Sequence, residues 1–404
     1  MAYLVYILRC VDGTLYTGIT TDLTRRVAEH NSGKGAKYTR ARLPVAPVYW
    51  ETAPDKSAAL RRELDIKALT RPEKLALIEA HQRKGEISME RGRFAPSPSG
   101  RMHLGNLLAA LLAWLDVRHA GGTMVLRMED LDPDRCREEY AAQVARDLEW
   151  LGLDWDEGYG AGGSYGPYRQ SERGDIYQEY LNRLEEKNLI YPCWCTRAQR
   201  LAASAPHLGE NQGNGACPCR SLTQAERQER YQASERAPAL RAAVPDGEVS
   251  FTDGNCGEYT ENLMRDCGDF LVRRSDGVCA YQLAVTVDDG LMGVTRVVRG
   301  RDLLSSTPWQ IWLHQSLGFE PPKYFHTPLL LAQDGRRLSK RERDLDMGTL
   351  RARYTPEEII GRLAALAGLL EQPEPVAAKD LITAFDWQKV AKNDVYLPSD
   401  WFAP

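Results

Sequence analysis

Short runs of apolar and β-branched residues open the chain. YLVYIL (3–8) and TLYTGIT (14–20) are separated by CVDG, and Asp12-Gly13 is a strong hairpin signal, so two antiparallel strands are expected. Asp22 stands where an N-cap belongs, and LTRRVAEHN reads as a short helix stopped by Gly33 and Gly35. VAPVYWETA reads as a third strand. Asp55 and Ser57 open a longer helix over KSAALRRELDIKAL, and another runs from Pro72 to about Arg83. This β-β-α-β-α-α unit is complete near residue 81. The polar stretch 82–90 then reads as a linker.

A new pattern begins at Arg91. The apolar strand in GRFAPSPSG runs into Pro, Ser and Gly, a helix covers Leu107–His119, and the strand TMVLRMED follows Gly121-Gly122. Strand–helix–strand of this length predicts a parallel βαβ unit and a nucleotide-binding fold. Helices are expected at about 137–151 and 173–188. FLVRR and CAYQLAVTVDD are expected to flank an Asp276-Gly277 hairpin. TRVVRG, a helix near 307–317 and the hairpin TPLLLA–QDG–RRLSKR come next. The tail 355–392 reads as helical. The expected organisation is an α/β body over 91–350, with an insertion at about 190–222, and a short helical region at 351–404.

Composition changes this picture in three places. The chain has 404 residues, 43% hydrophobic and 27% charged, which fits two or three folded domains and excludes bulk disorder. The longest apolar run, Leu107–Leu115, is far short of the roughly 20 residues that span a bilayer. MAYLVYILRC lacks a basic start and a long apolar stretch, so a cytoplasmic protein without membrane partners is expected. Net charge is −4, but residues 1–85 carry 15 Lys and Arg against 9 Asp and Glu. A basic first unit suits contact with nucleic acid, and ordinary solvated surface charge is the alternative reading.

Within the first unit, Tyr6 and Tyr16 lie on adjacent predicted strands. Arg26 and His30 share one face of the following helix, and Glu63 lies on the next. Together, with VYI…YTG and the string SGKGAKYTR, they resemble the GIY-YIG nuclease family over residues 3–80, in its small stand-alone bacterial version. The resemblance implies a small α+β nuclease domain acting on DNA. Tyr6 or Tyr16 would help activate water, Arg26 would neutralise the phosphate, and Glu63 would bind Mg²⁺ or Mn²⁺. His30 and Tyr38 would position groups. Val5-Tyr6-Ile7 departs from the family's Gly-Ile-Tyr.

In the body, RFAPSPSGRMHLGN (93–106) is the most informative stretch. It leaves a strand at Ala95, is stiffened by Pro96 and Pro98, and enters a helix near His103, presenting backbone N–H groups to phosphate. Gly105 lets a nucleotide pack against backbone. The string resembles the HIGH signature of class I aminoacyl-tRNA synthetases in their glutamyl version, with Asn106 departing at the last position. RRLSKR (336–341) resembles the KMSKS signature, so Lys340 would hold the triphosphate of ATP as pyrophosphate leaves. By the same resemblance, Arg93, Phe94, Ala95, Pro96 and Ser97 line a glutamate site. Glu129 would pair with the substrate ammonium, Tyr281 would sit in the pocket, and Arg299 would read a carboxylate.

Cys193-x-Cys195 and Cys217-x-Cys219 form two close pairs that suit a tetrahedral Zn²⁺. Cys10, Cys136, Cys256, Cys267 and Cys279 show no pairing and read as small core residues.

Only 64 residues follow Lys340, too few for the helical anticodon-binding region of a full glutamyl-tRNA synthetase. This shortness, with RFAPSPSG, the cysteine pairs and LSK, resembles the glutamyl-Q tRNA(Asp) synthetase family. That resemblance implies activation of glutamate with ATP, without tRNA, and transfer to queuosine in the anticodon of tRNA(Asp). The family's usual zinc set has a Tyr where Gly215 stands here, so Cys217 is the substitute. Two rival readings remain open at this point. One is a truncated glutamyl-tRNA synthetase charging tRNA 3′ ends. The other is a DNA-repair nuclease with a nucleotide-binding body.

Overall fold

The computed structural model describes residues 3–21, 23–78, 90–196, 217–336, 345–398 and 401–402. Asp22, the stretch 79–89, Gly215 and Lys340 lie outside them. The chain divides into two compact units, Met1–Met89 and Glu90–Pro404.

In the first unit β1 (Tyr3–Cys10), β2 (Leu15–Thr20) and β3 (Val45–Ala53) form an antiparallel sheet of order β2-β1-β3. β1 is central and buried on both faces, so its period of two sorts side chains into two cores. Val5 and Ile7 pack with Tyr49, Ala59, Ile66 and Ile78, while Tyr6 and Leu8 pack with Cys10 and Val45. The helix Lys56–Ala68 starts where Asp55 accepts the Ala58 N–H at 2.8 Å. The described part of the next helix is 71–78.

The second unit is built on β4 (Arg91–Phe94), β5 (Thr123–Leu126) and β6 (Glu157–Gly158). β7 (Ile190–Cys193), β8 (Ala239–Ala242), β9 (Glu248–Asp253), β10 (Gly257–Asn262) and β11 (Phe270–Arg273) follow. The chain then returns through β12 (Arg296–Gly300) and β13 (Lys323–Thr327). The main sheet has the order β13-β12-β4-β5-β6, and every pairing in it is parallel. The parallel βαβ expectation is therefore borne out. The crossover helix Leu104–His119 is apolar on almost all sides, and eleven of its residues are buried between the sheet and the helix Pro356–Ala367. Strand order turns back beside β4, with β5 on one side and β12 on the other, and in such sheets the crevice beyond the strand ends takes the ligand. A three-stranded antiparallel sheet, β11-β8-β7, and the β9–β10 ribbon lie between the two halves of the main sheet in sequence. Among the described residues no helix is long and apolar enough to cross a membrane.

Three expectations need correction. The turn at Asp276-Gly277 forms, with the Arg274 N–H bonded to the Val278 carbonyl at 2.8 Å. Its second arm is one bridge, Arg273 with Cys279, and Tyr281–Leu291 is a helix. A short, mostly apolar run such as CAYQLAVTV carries no clear period that separates a buried strand from a buried helix. The tail is less helical than expected: beyond Ala367 only the 3₁₀ turn Ala378–Leu381 is regular before the short strand Val395–Tyr396. Cys136 and Cys256 are half-buried rather than core.

Candidate functional site

A cavity of about 480 Å³ opens at the switch point of the main sheet. Arg93, Ser97, His103, Glu129, Tyr281 and Arg299 are among its lining, with Phe94, Ala95, Pro96 and Gly105. β4 delivers Arg93, and the stiff loop after it carries Ser97. His103 is the N-cap of the helix Leu104–His119. Asn106, the departure from HIGH, serves that cap: its Oδ1 accepts the His103 backbone N–H at 3.3 Å. A Cβ on Gly105 would lie 3.2 Å from the His103 ring, so glycine keeps that wall open.

Behind the cavity lies a layer of buried charge that the sequence reading missed. Arg127 is fully buried. It donates to Asp289 Oδ1 at 2.7 Å and to Glu129 Oε1 at 3.1 Å, and lies 3.6 Å from Asp288. Arg93 Nε reaches Asp289 at 3.3 Å, and its Nη1 reaches the Val298 carbonyl at 3.2 Å. Asp288 is held by Arg173 at 2.7 Å and Gln170 at 2.8 Å. Burial pushes the Glu129 carboxyl above its ordinary value, and Arg127 and Arg93 oppose that rise. Burial and the nearby Glu129 push the Tyr281 phenol up to about 12, so it stays a neutral donor. The only local sign of this layer was the Asp288-Asp289 pair after an apolar run.

Arg299 lies inside β12 rather than past its end. Its Nη1 donates to Gln310 Oε1 at 2.7 Å, and its Nη2 to Thr307 Oγ1 at 2.8 Å. Burial and these partners hold the guanidinium in one place.

Cys193, Cys195, Cys217 and Cys219 bring four sulfurs within 4.8 Å of one another. The separations Cys193–Cys217 and Cys195–Cys219 are both 3.5 Å, and Cys217–Cys195 is 3.7 Å. Zinc–sulfur bonds of about 2.3 Å in a tetrahedron put sulfurs roughly 3.8 Å apart, so the donor set and its spacing fit that metal. Hydrogen bonds from Cys193 and Cys195 draw the Cys217 thiol below its ordinary value.

In the first unit, Tyr6, Tyr16, Arg26 and His30 meet at the sheet. Arg26 Nε donates to the Tyr6 hydroxyl at 3.3 Å, and that oxygen is 3.3 Å from His30 Nε2. His30 Nδ1 is 2.7 Å from Thr39 Oγ1. Tyr38 stacks on Tyr16 with ring centres 6.2 Å apart. A Cβ on Gly18 would lie 2.7 Å from the Tyr6 hydroxyl, which explains glycine in YTG. Glu63 is engaged by Lys67 at 2.8 Å. Lys340 falls outside the described residues.

The sequence family described as "tRNA synthetases class I (E and Q), catalytic domain" matches residues 90–398. The chain belongs to that family. The "GIY-YIG catalytic domain" matches residues 2–76. Among relatives of this class I chain, the glutamyl-Q tRNA(Asp) synthetase of Symbiobacterium thermophilum is 51% identical over 316 residues, covering 77% of this chain and 97% of that protein. The protein of the same name from Nitratidesulfovibrio vulgaris is 48% identical with the same coverage. A crystal structure of a glutamate tRNA ligase from Elizabethkingia meningosepticum has a TM-score of 0.67 at 29% identity, covering 78% of this chain and 68% of that one.

Proposed function

We propose that the chain activates glutamate with ATP, without tRNA, and transfers it to queuosine in the anticodon of tRNA(Asp). The observation that carries this reading is the match along 97% of the glutamyl-Q relative's length at 51% identity, against 68% of the glutamate tRNA ligase's length at 29%. The cavity supplies what the first step needs. A glutamate α-carboxylate oxygen attacks the α-phosphorus of ATP, the bond to the bridging oxygen breaks, and pyrophosphate leaves. Glu129 holds the ammonium, while Arg93 and Arg299 hold carboxylate, with Tyr281 and Ser97 closing the pocket. His103 and the helix start take phosphate, Gly105 admits the nucleotide, and Lys340 steadies the departing pyrophosphate. In the second step a hydroxyl of the queuosine cyclopentenediol attacks the acyl carbon and AMP leaves. Positioning and charge neutralisation carry both steps, and no protein nucleophile is needed.

Incubation with ATP, labelled glutamate, and tRNA(Asp) with or without queuosine tests this directly. Glutamate-dependent ATP–pyrophosphate exchange without tRNA, and label on the modified anticodon base alone, are expected. Label on the 3′-terminal adenosine would replace the reading with that of a 3′-end charging enzyme.

Zn²⁺ is proposed as the metal of the four cysteines, tying β7 to the 3₁₀ turn Pro218–Ser221. Its contribution there is structural. The use of ATP and tRNA supports a cytoplasmic setting.

For the first unit, the convergence of Arg26, Tyr6 and His30 supports metal-dependent cleavage of DNA. Arg26 would neutralise phosphate, Tyr6 or Tyr16 would orient water, and Glu63 would carry Mg²⁺ or Mn²⁺. The full chain is expected to nick branched or single-stranded DNA in Mg²⁺ or Mn²⁺, and Glu63→Ala to lose that activity. Equal activity in the two proteins would leave this unit a binding role.

A further inference from the structure

The pairing of β12 with β13 sets Arg299 beside His326. Arg299 Nε donates to His326 Nε2 at 3.1 Å. On the opposite side of the ring, Nδ1 lies 2.6 Å from Asp253 Oδ2. Asp253 also accepts the backbone N–H of His326 at 3.2 Å, of Asn255 at 3.0 Å and of Cys256 at 2.7 Å. His326 and Asp253 are both buried. Neither lines the cavity; Arg299 does.

The donor inventory fixes the protons. A guanidinium only donates, so His326 Nε2 must offer its lone pair. The ring proton is then on Nδ1 and goes to Asp253. Against the cost of burial, the hydrogen bond from His326 holds the Asp253 carboxyl below its ordinary value, so Asp253 remains a carboxylate that fixes this tautomer.

We propose that Asp253 and His326 form a positioning relay that aims Arg299 at the substrate carboxylate, so that capture of glutamate, and not of ATP, depends on the neutral His326 ring. This rests on the glutamate-activating reading above. It concerns Asp253, 46 positions before Arg299, and His326, on the neighbouring strand, neither of which lines the cavity.

Three further side chains pack around His326. Thr307 Oγ1 is 3.3 Å from Nε2, Tyr324 stacks on the ring with centres 6.2 Å apart, and the Cys256 thiol faces the His326 carbonyl at 3.7 Å. Gln310 reaches the ring only through Arg299. Burial first, then the positive charges of Arg299 and Arg93, lower the His326 pKa, while Asp253 opposes them. The ring is therefore neutral at pH 7. A proton added to Nε2 would face the Arg299 N–H donor to donor and remove the anchor that sets Nε, leaving the guanidinium held only through its Nη atoms by Gln310 and Thr307. That happens only as pH falls through a value below the ordinary histidine value of about 6.5.

The test uses the full chain in tRNA-free ATP–pyrophosphate exchange. His326→Phe keeps volume and removes the acceptor. Its KM for glutamate is expected to rise about 10- to 100-fold, the loss of one hydrogen bond to a buried charge. Its KM for ATP should stay within about twofold. His326→Gln, whose amide oxygen replaces Nε2, should recover most of the affinity. In the wild type the glutamate KM should rise as pH falls below about 6.5, and His326→Gln should lose that component. Equal changes in both KM values, a fall in kcat alone, or a Gln variant no better than Phe would overturn the relay. A wild-type chain without any glutamate-dependent exchange would overturn the glutamate reading as well, and is told apart because it needs no variant.

Discussion

Replacing Arg127 by Met is expected to cost the second unit about 3–5 kcal/mol, a large share of the roughly 5–15 kcal/mol that holds a folded domain. The guanidinium is fully buried and faces three carboxylates. Each has a different reserve. Asp288 keeps Arg173, Gln170 and Tyr177. Asp289 keeps Arg93. Once Arg127 is gone, Glu129 has among the described residues only the nearby charge of Arg93 and no hydrogen bond from a cation, and burial already raises its pKa. It would take a proton instead, and the pocket would lose its charge for the ammonium. The variant should therefore show a lower urea midpoint and a weaker glutamate affinity together. Adding Glu129→Gln should restore part of the stability, because it removes the one carboxylate left without a hydrogen-bonded cation. A loss below about 1 kcal/mol would mean that the carboxylates are neutralised by other means.

How far these features could be read in advance depended on sequence distance. β3 and the helix Glu138–Trp150 fall where the pattern puts them, because each is a local periodicity with local end signals. The stretch 93–106 identified one wall of the cavity, because a strand end, a stiff loop and a helix start are contiguous. Arg127 was invisible for the opposite reason: its main partner, Asp289, is 162 positions away. An arginine directly after an apolar strand carries no mark that distinguishes a buried hub from a surface ion pair. Asp253 and His326 are 73 positions apart, and only the β9 and β13 packing brings them together. The helix Tyr281–Leu291 was misread because a largely apolar run with β-branched residues next to a good turn satisfies either element. The four cysteines were legible because two pairs at short spacing carry their chemistry with them.

Replacing Glu129 by Gln is expected to lower kcat/KM for glutamate in the exchange reaction by about 10²- to 10³-fold, with the KM for ATP changed less than about threefold. The amide is nearly the same size and its oxygen still accepts from Arg127, so folding should be preserved. What is lost is the negative charge, and the arginines that line the pocket, Arg93, Arg101 and Arg299, repel a substrate ammonium once that charge is gone. The pH dependence adds a second readout. Burial raises the Glu129 carboxyl above its ordinary value, with Arg127 and Arg93 pulling it back. The carboxylate is the productive form, so activity is present above the folded-state pKa and lost as pH falls through it. The Gln variant should lack this component while keeping the one set by His326, which separates the two groups. An unchanged KM for glutamate in a folded Gln variant would remove Glu129 from the ammonium site and leave it a partner of Arg127 alone.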